Sequence, residues 1–142
     1  MTLGEVMACF PYDDSLHRFS VNGKQLKEIF AHIMRIENRD GEGECYQVNS
    51  GVEDIYDEQN KKLVSYKVDG QIVTNTKLYR IAMQGYHYNN ALAYLGLDRK
   101  FMQFLPDHKV ITTSAQQLFI EYLSNHQIID SKVEGRLVYK YA

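Results

Sequence analysis

Apolar residues recur along this chain with two different periods, and the switches between them mark out helices and strands. Over residues 24–38 the positions Leu26, Ile29, Phe30, Ile33 and Met34 fall on one side of a 3.6-residue repeat, which predicts an amphipathic helix. Asn22-Gly23 just before it makes a turn whose Asn can cap that helix. At the amino end, Thr2 followed three residues later by Glu5 is a capping box, in which each side chain satisfies a free backbone N–H. The short helix it opens is expected to stop near Phe10, because Pro11 disfavours helical geometry in the residue before it. Residues 16–21 then suit a strand.

The middle third changes character. After the polar loop Asp40-Gly41-Glu42-Gly43-Glu44, residues 46–50 and 52–57 read as extended on either side of Gly51. Residues 63–68 continue that pattern, and Asp69-Gly70 is a hairpin dipeptide leading into Gln71-Ile72-Val73, so this stretch predicts a β-meander. Residues 78–84 predict a further strand, central in its sheet, ending at Gly85-Tyr86. Residues 89–95 suit a short helix closed by Gly96. Residues 101–105 form an apolar patch ended by Pro106, and Val110-Ile111 a brief strand. Thr113 with Gln116 reads as a second capping box before Leu118, Phe119, Tyr122 and Leu123, which mark one helical face. Residues 135–139 supply a closing strand. The fold class is therefore α+β: a mixed β-sheet from strands near 16–21, 46–57, 63–73, 78–84 and 135–139, packed by helices at 24–38 and 114–124.

Composition narrows the function classes. At 142 residues and 44% hydrophobic, the chain has the usual size of one domain, and residues 1–142 are expected to form a single one. A formal net charge of −2 provides no overall basic field, so DNA and RNA are poor candidates for the partner. No apolar run approaches the roughly 20 residues that span a bilayer, and the amino end lacks the basic-then-apolar layout of a signal peptide. Cys9 and Cys45 have neither CxxC nor metal-ligand spacing and read as ordinary thiols. Eleven tyrosines and no tryptophan lean toward β-structure and aromatic binding surfaces.

Candidate chemistry is sparse. His17, His32, His87, His108 and His126 fall into no HxH or HExxH spacing, and Asn125-His126 stands without partner motifs, so no metal site is expected. No GxSxG elbow is present, and Gly41 to Gly43 lack the Lys-Ser/Thr of a phosphate-binding loop. Adjacent acids such as Asp13-Asp14 and Glu53-Asp54 rarely perform acid/base catalysis, which needs carboxylates held apart with separated pKa values; Asp14 is the one of interest. Tyr12 and Tyr86 each follow a strong breaker, Pro11 or Gly85, where a ring projects into a loop-lined cleft. The plain alternative is a pair of packed rim tyrosines.

Six segments occur together in order: Thr2-Leu3-Gly4-Glu5-Val6, Phe10-Pro11-Tyr12-Asp13, Asn22-Gly23-Lys24-Gln25-Leu26-Lys27-Glu28, Gln47-Val48-Asn49-Ser50-Gly51, Leu78-Tyr79-Arg80-Ile81-Ala82 and Val133-Glu134-Gly135-Arg136-Leu137. In that order they resemble the C-terminal, substrate-recognition domain of the 5'-nucleotidase, UDP-sugar hydrolase and 2',3'-cyclic nucleotide phosphodiesterase family. The resemblance implies that Tyr12 and Tyr86 are the two base-stacking aromatics and that Asp14 stands where an asparagine often contacts the ligand. It also implies a nucleotide or nucleoside ligand and a partner N-terminal metallophosphatase domain with two divalent metals. That domain's motifs are not found in this chain, and no catalytic residue is assigned. An extracellular or cell-envelope location follows from the same resemblance. After Tyr86 the family's Gly-Gly-Asp-Gly turn is replaced by Asn90-Ala91-Leu92-Ala93, and leucine cannot accept a hydrogen bond from a ribose or base. A second reading is therefore a domain that keeps the fold but serves as a protein-interaction module.

Overall fold

The computed structural model describes residues 2–41, 46–126 and 128–141, with the side chains of residues 40, 41 and 99 left aside. Helix α1 (Leu3–Cys9) starts from the expected capping box: Thr2 Oγ1 accepts from the Glu5 N–H, and Glu5 accepts from the Thr2 N–H at 2.6 Å. Strand β1 (Leu16–Asn22) runs directly into α2 (Gly23–Ile33), where Asn22 caps and Gln25 reciprocates, a second box of the same kind. Lys77 and Asn75 carbonyls accept from the Gly23 and Lys24 N–H groups, filling orphan donors at the helix start. The approach is so close that a Cβ on Gly23 would lie 1.9 Å from the Thr74 carbonyl oxygen, so the position requires glycine.

Helix α2 stops at Ile33, short of the predicted Asn38. The Nε of Arg35 and the Nδ2 of Asn38 both donate to the His32 carbonyl, and side chains thus take over a bond the helix would have continued. A π-type turn follows at Glu37–Gly41. Residues 46–49, expected as a strand, join no ladder; β2 (Val52–Asp57) is the first strand of the meander. It pairs with β3 (Lys62–Val68), which turns through Asp69-Gly70 into β4 (Gln71–Ile72). Asp69 and Gly70 both have positive φ, 51° and 74°, as a two-residue hairpin of this type requires.

Strand β5 (Leu78–Gln84) leads into α3 (Gly85–Asn89) and α4 (Ala91–Leu95), the latter closed by Gly96 in the left-handed region as the sequence suggests. A short α5 (Arg99–Met102), β6 (Lys109–Thr112), α6 (Ala115–Asn125) and β7 (Leu137–Lys140) complete the chain. The cap of α6 is Ser114, whose Oγ accepts from the Gln117 N–H, rather than the expected Thr113; the Thr113–Gln116 spacing is one residue out of register with the helix. Its predicted apolar face is also turned partly outward: Ala115 and Gln116 are buried, while Leu118, Phe119 and Tyr122 are exposed. The principal element against it is the two-turn α1, too short to cover the whole face.

The architecture is α+β as expected, with the strands divided between two sheets. One has order β5-β1-β6, all antiparallel; the other has order β4-β3-β2-β7, with β7 parallel to β2. Strand β5, expected to be central, is an edge of this sheet and β1 is its centre, because β6 arrives from about 90 residues downstream to cover β1's other side. Helix α2 packs on strands of both sheets, and its Leu26, Ile29, Phe30 and Ile33 meet Phe19, Val21 and Tyr66 in one core. The Phe30 and Tyr66 rings lie 4.4 Å apart. Burying a side chain such as Phe19 is worth about 2–3 kcal/mol.

One polar group interrupts that core. Along β2 the inward positions are Val52, Asp54 and Tyr56, and Asp54 is 1% exposed. Neither of its carboxylate oxygens has a hydrogen-bond partner. Burial lifts its pKa from 3.8 to about 7, opposed only by the nearby Ile55 backbone N–H. Tyr66, opposite Asp54 across the β2–β3 ladder, is likewise raised, by burial first and by the Asp54 charge second.

Candidate functional site

The residues singled out by sequence lie around the loop 10–15, which joins α1 to β1. Two acids and a serine make the end of this loop polar, and the acids fasten it to α6 and to α3. Asp13 Oδ2 accepts from Ser114 Oγ at 2.7 Å and Oδ1 from the Gln116 N–H at 3.1 Å, so the first turn of α6 is held by a residue a hundred positions upstream. Those two bonds, the Ser114 hydroxyl foremost, hold the Asp13 carboxyl below its usual range. Gln116 returns the contact through Nε2, which donates to the Phe10 carbonyl at 2.6 Å, and the Ala115 N–H donates to the Asp14 carbonyl at 2.7 Å.

Asp14 makes the second fastening. Its Oδ1 accepts from the Ser15 N–H at 2.7 Å, and its Oδ2 accepts from the Tyr86 N–H at the first turn of α3. The carboxylate therefore joins the loop that carries Tyr12 to the turn that carries Tyr86. Gly85 is required for this contact: a Cβ there would fall 2.3 Å from Ser15 Oγ and 2.6 Å from Asp14 Oδ1.

Between these fastenings the two tyrosines face outward. Tyr12 is 84% exposed, and Tyr86 is 51% exposed, so neither belongs to the interior. Tyr86 is braced by Tyr94: its hydroxyl is 2.8 Å from that of Tyr94, with ring centroids 5.4 Å apart. His87 stands edge-on to both rings, at 5.6 Å from Tyr86 and 5.5 Å from Tyr94, and Tyr46 meets His87 at 5.5 Å. Tyr46, His87 and Tyr94 are members of this aromatic wall that sequence reasoning passed over. The eight-residue spacing of Tyr86 and Tyr94 was the available signal, but it spans the break between α3 and α4 and so does not present itself as one helical face.

The substituted segment after Tyr86 is helical. Asn90 donates to the Tyr86 carbonyl through both its backbone N–H, at 3.1 Å, and its Nδ2, at 2.8 Å, which ends α3 and allows α4 to begin at Ala91. Asn90 keeps a negative φ of −109°, so this junction needs no glycine. Leu92, where the resemblance would place an acid, is 66% exposed and presents an apolar surface. Among the described residues, no group of three or more His, Cys, Asp or Glu side chains is placed to hold a metal ion. The site can offer ring faces, a tyrosine hydroxyl and an apolar rim, which suits a flat heterocycle better than a phosphoryl group.

The family profile described as the C-terminal domain of 5'-nucleotidase matches residues 1–94. The fold is similar to part of the 5'-nucleotidase precursor from Thermus thermophilus, with a TM-score of 0.76 and 17% identity, covering 98% of this chain and 28% of that one. It is similar to part of the NAD nucleotidase of Haemophilus influenzae, with a TM-score of 0.75 and 16% identity, covering 98% of this chain and 26% of that one. The chain thus spans little more than a quarter of either protein. No match was found among curated proteins. Among the described residues no helix is long and apolar enough to cross a membrane. A profile match over residues 1–94, with the fold around it, places this chain in the family of 5'-nucleotidase C-terminal domains.

Proposed function

We propose that this chain is the nucleotide-binding specificity domain of a 5'-nucleotidase-type phosphohydrolase, acting in nucleotide catabolism by stacking a base between Tyr12 and Tyr86. The observation that carries this reading is the Asp14 carboxylate, which ties the Tyr12 loop to the Tyr86 turn while both rings stay open to solvent. Family membership supports it, as does the length of the related chains, which leaves ample room for a separate catalytic domain.

In this reading the chain's own work is binding and orientation. Tyr94 and His87 fix the Tyr86 ring in advance, so less conformational freedom is lost when a base stacks on it. Asp14 acts as a positioning residue for Tyr86, since its oxygens already accept backbone donors. Hydrolysis belongs to a partner metallophosphatase domain with two divalent metals; the described residues of this chain offer no ligand set for that pair, and no catalytic role is assigned to them. An envelope or extracellular location goes with the same reading.

Leu92 favours the second reading, a module that meets a protein through this surface, because an exposed leucine replaces a hydrogen-bonding acid. Isothermal titration of adenosine, AMP and UDP-glucose into wild type and Tyr12→Ala separates the two. Loss of a stacking contact worth about 1–3 kcal/mol weakens binding by about 5- to 150-fold. Equal affinity in both proteins refutes the stacking role. Absence of nucleotide binding in either, together with a stable complex with a metallophosphatase domain, establishes the interaction module instead.

A further inference from the structure

Three side chains on the far side of Asp14 form a unit that base recognition does not use. Ser15 Oγ lies 3.0 Å from His17 Nε2, and His17 Nδ1 lies 3.1 Å from His108 Nε2. His17 sits on β1 where the pairing with β6 shifts register, an irregularity of the kind that re-aims a side chain, and His108 immediately precedes β6. The buried Tyr88 ring of α3 stacks on both imidazoles, 4.3 Å from His17 and 4.7 Å from His108. The two imidazole planes consequently lie within 14° of parallel, with ring centroids 5.4 Å apart.

The hydrogen-bond chain accommodates a tautomer of His17 suited to a ligand. Ser15 has one hydroxyl proton, and Asp14 Oδ1, 3.3 Å away, can only accept. With that proton directed to Asp14, Ser15 Oγ accepts from His17 Nε2–H, and the lone pair of His17 is left on Nδ1, facing His108. A hydrogen-bonded partner on the remote nitrogen is the arrangement that orients a metal-binding imidazole and raises its basicity.

The spacing suits coordination as well. With metal–nitrogen bonds of about 2.0–2.1 Å, two ligating nitrogens stand roughly 2.9 Å apart at a right angle and roughly 3.4 Å apart at the tetrahedral angle. The observed 3.1 Å falls between these limits. With His17 Nδ1 accepting, the proton of this contact sits on His108 Nε2; binding an ion there requires His108 to move that proton to its Nδ1 and the two imidazoles to reorient beside Tyr88 so that both lone pairs meet the ion. Imidazole nitrogens select borderline divalent cations such as zinc, whereas magnesium and calcium prefer oxygen.

We propose that His17 Nδ1 and His108 Nε2 form a two-nitrogen site for zinc, with Ser15 and Asp14 as its supporting hydrogen-bond chain. Among the described residues no third His, Cys, Asp or Glu completes the set, so water or an exogenous oxygen ligand occupies the remaining positions. His108 is exposed, which leaves those positions open to solvent. Binding there crosslinks β1 to the segment entering β6 and stabilises the three-stranded sheet by mass action. This site is independent of the base-stacking reading and survives its failure.

The test is thermal unfolding of the 142-residue chain with added zinc chloride, with magnesium chloride as the reference salt. The melting temperature rises with zinc in wild type and in His126→Ala, a histidine remote in sequence and stacked on Tyr122, and does not rise in His108→Ala. Ser15→Ala retains zinc binding about 10- to 100-fold weaker by calorimetry, as loss of a supporting partner does. Nitrogen-15 spectra of the imidazoles show the zinc-induced shift at His17 Nδ1. No zinc-dependent rise in wild type, an equal rise with magnesium, or wild-type zinc affinity in His108→Ala overturns the proposal.

Discussion

Replacing Asp54 with Asn removes a buried titration and should flatten the pH dependence of stability. The folded protein holds the Asp54 proton up to a pKa of about 7, whereas the unfolded chain releases it near 3.8. Folded molecules therefore bind more protons than unfolded ones throughout that window, and stability falls as pH rises through it, becoming level above about 7. At about 1.4 kcal/mol per pH unit, the full span corresponds to a loss on the order of 4 kcal/mol, a large share of a domain's typical stability. Other groups work in the opposite direction. Burial foremost, with the neighbouring His108 imidazole at His17 and, against the bond to the Ala93 carbonyl, the Arg35 charge at His32, holds both histidines below 6.5, so their contribution is present above that pH and is lost as pH falls. Asp13 and Asp57, lowered by hydrogen bonds, likewise lose their contribution in acid. These terms are common to both proteins and cancel in the difference. Urea denaturation of wild type and Asp54→Asn at intervals from about pH 4 to 8.5 should show the variant gaining on wild type with rising pH, by up to about 4 kcal/mol. Asp54→Leu, which also removes the unpaired polar atoms, should gain at least as much above about pH 7. Curves for wild type and Asp54→Asn that run parallel across this range would refute the reasoning.

Two further outcomes follow from close contacts and caps. Gly85→Ala forces a Cβ against Ser15 and Asp14, and should cost about 1–3 kcal/mol in chemical denaturation while weakening nucleotide binding through the displaced Tyr86 turn; wild-type values for both would remove Asp14 from its positioning role. Asn22→Ala deletes the cap of the principal core helix and should lower stability by about 1 kcal/mol, and an unchanged denaturation midpoint would mean that the carbonyls of Asn75 and Lys77 suffice there.

Features that depend on neighbours in sequence were legible in advance. The Thr2 box, the Asn22 cap, the Asp69-Gly70 turn and the Gly96 terminus each involve groups only a few residues apart, and each occurs where its spacing indicates. What escaped depends on partners far along the chain. Strand β5 looks central because it is apolar, yet only the arrival of β6 decides which side of β1 is covered. Residues 46–49 have strand-like composition but meet no ladder. Helix α2 is cut short by Arg35 and Asn38 side chains, whose competition for one carbonyl leaves no mark on the apolar period. In the candidate site, Tyr12 and Tyr86 stood out because breakers precede them, whereas His87 and Tyr94 matter only through how two short helices meet. The buried Asp54 was similarly hidden, since its polarity suggests the solvent side of a strand.

The stitching of the Tyr12 loop onto α6 has a consequence for how this domain can be divided. The region carrying the family profile ends at residue 94, but Ser114, Ala115 and Gln116 provide the anchors for the loop near the amino end. A fragment trimmed to the recognisable portion would keep both tyrosines while freeing one of them from its mooring. The final third of the chain, in which the profile finds nothing, thus governs the posture of a ring that lies among the first dozen residues.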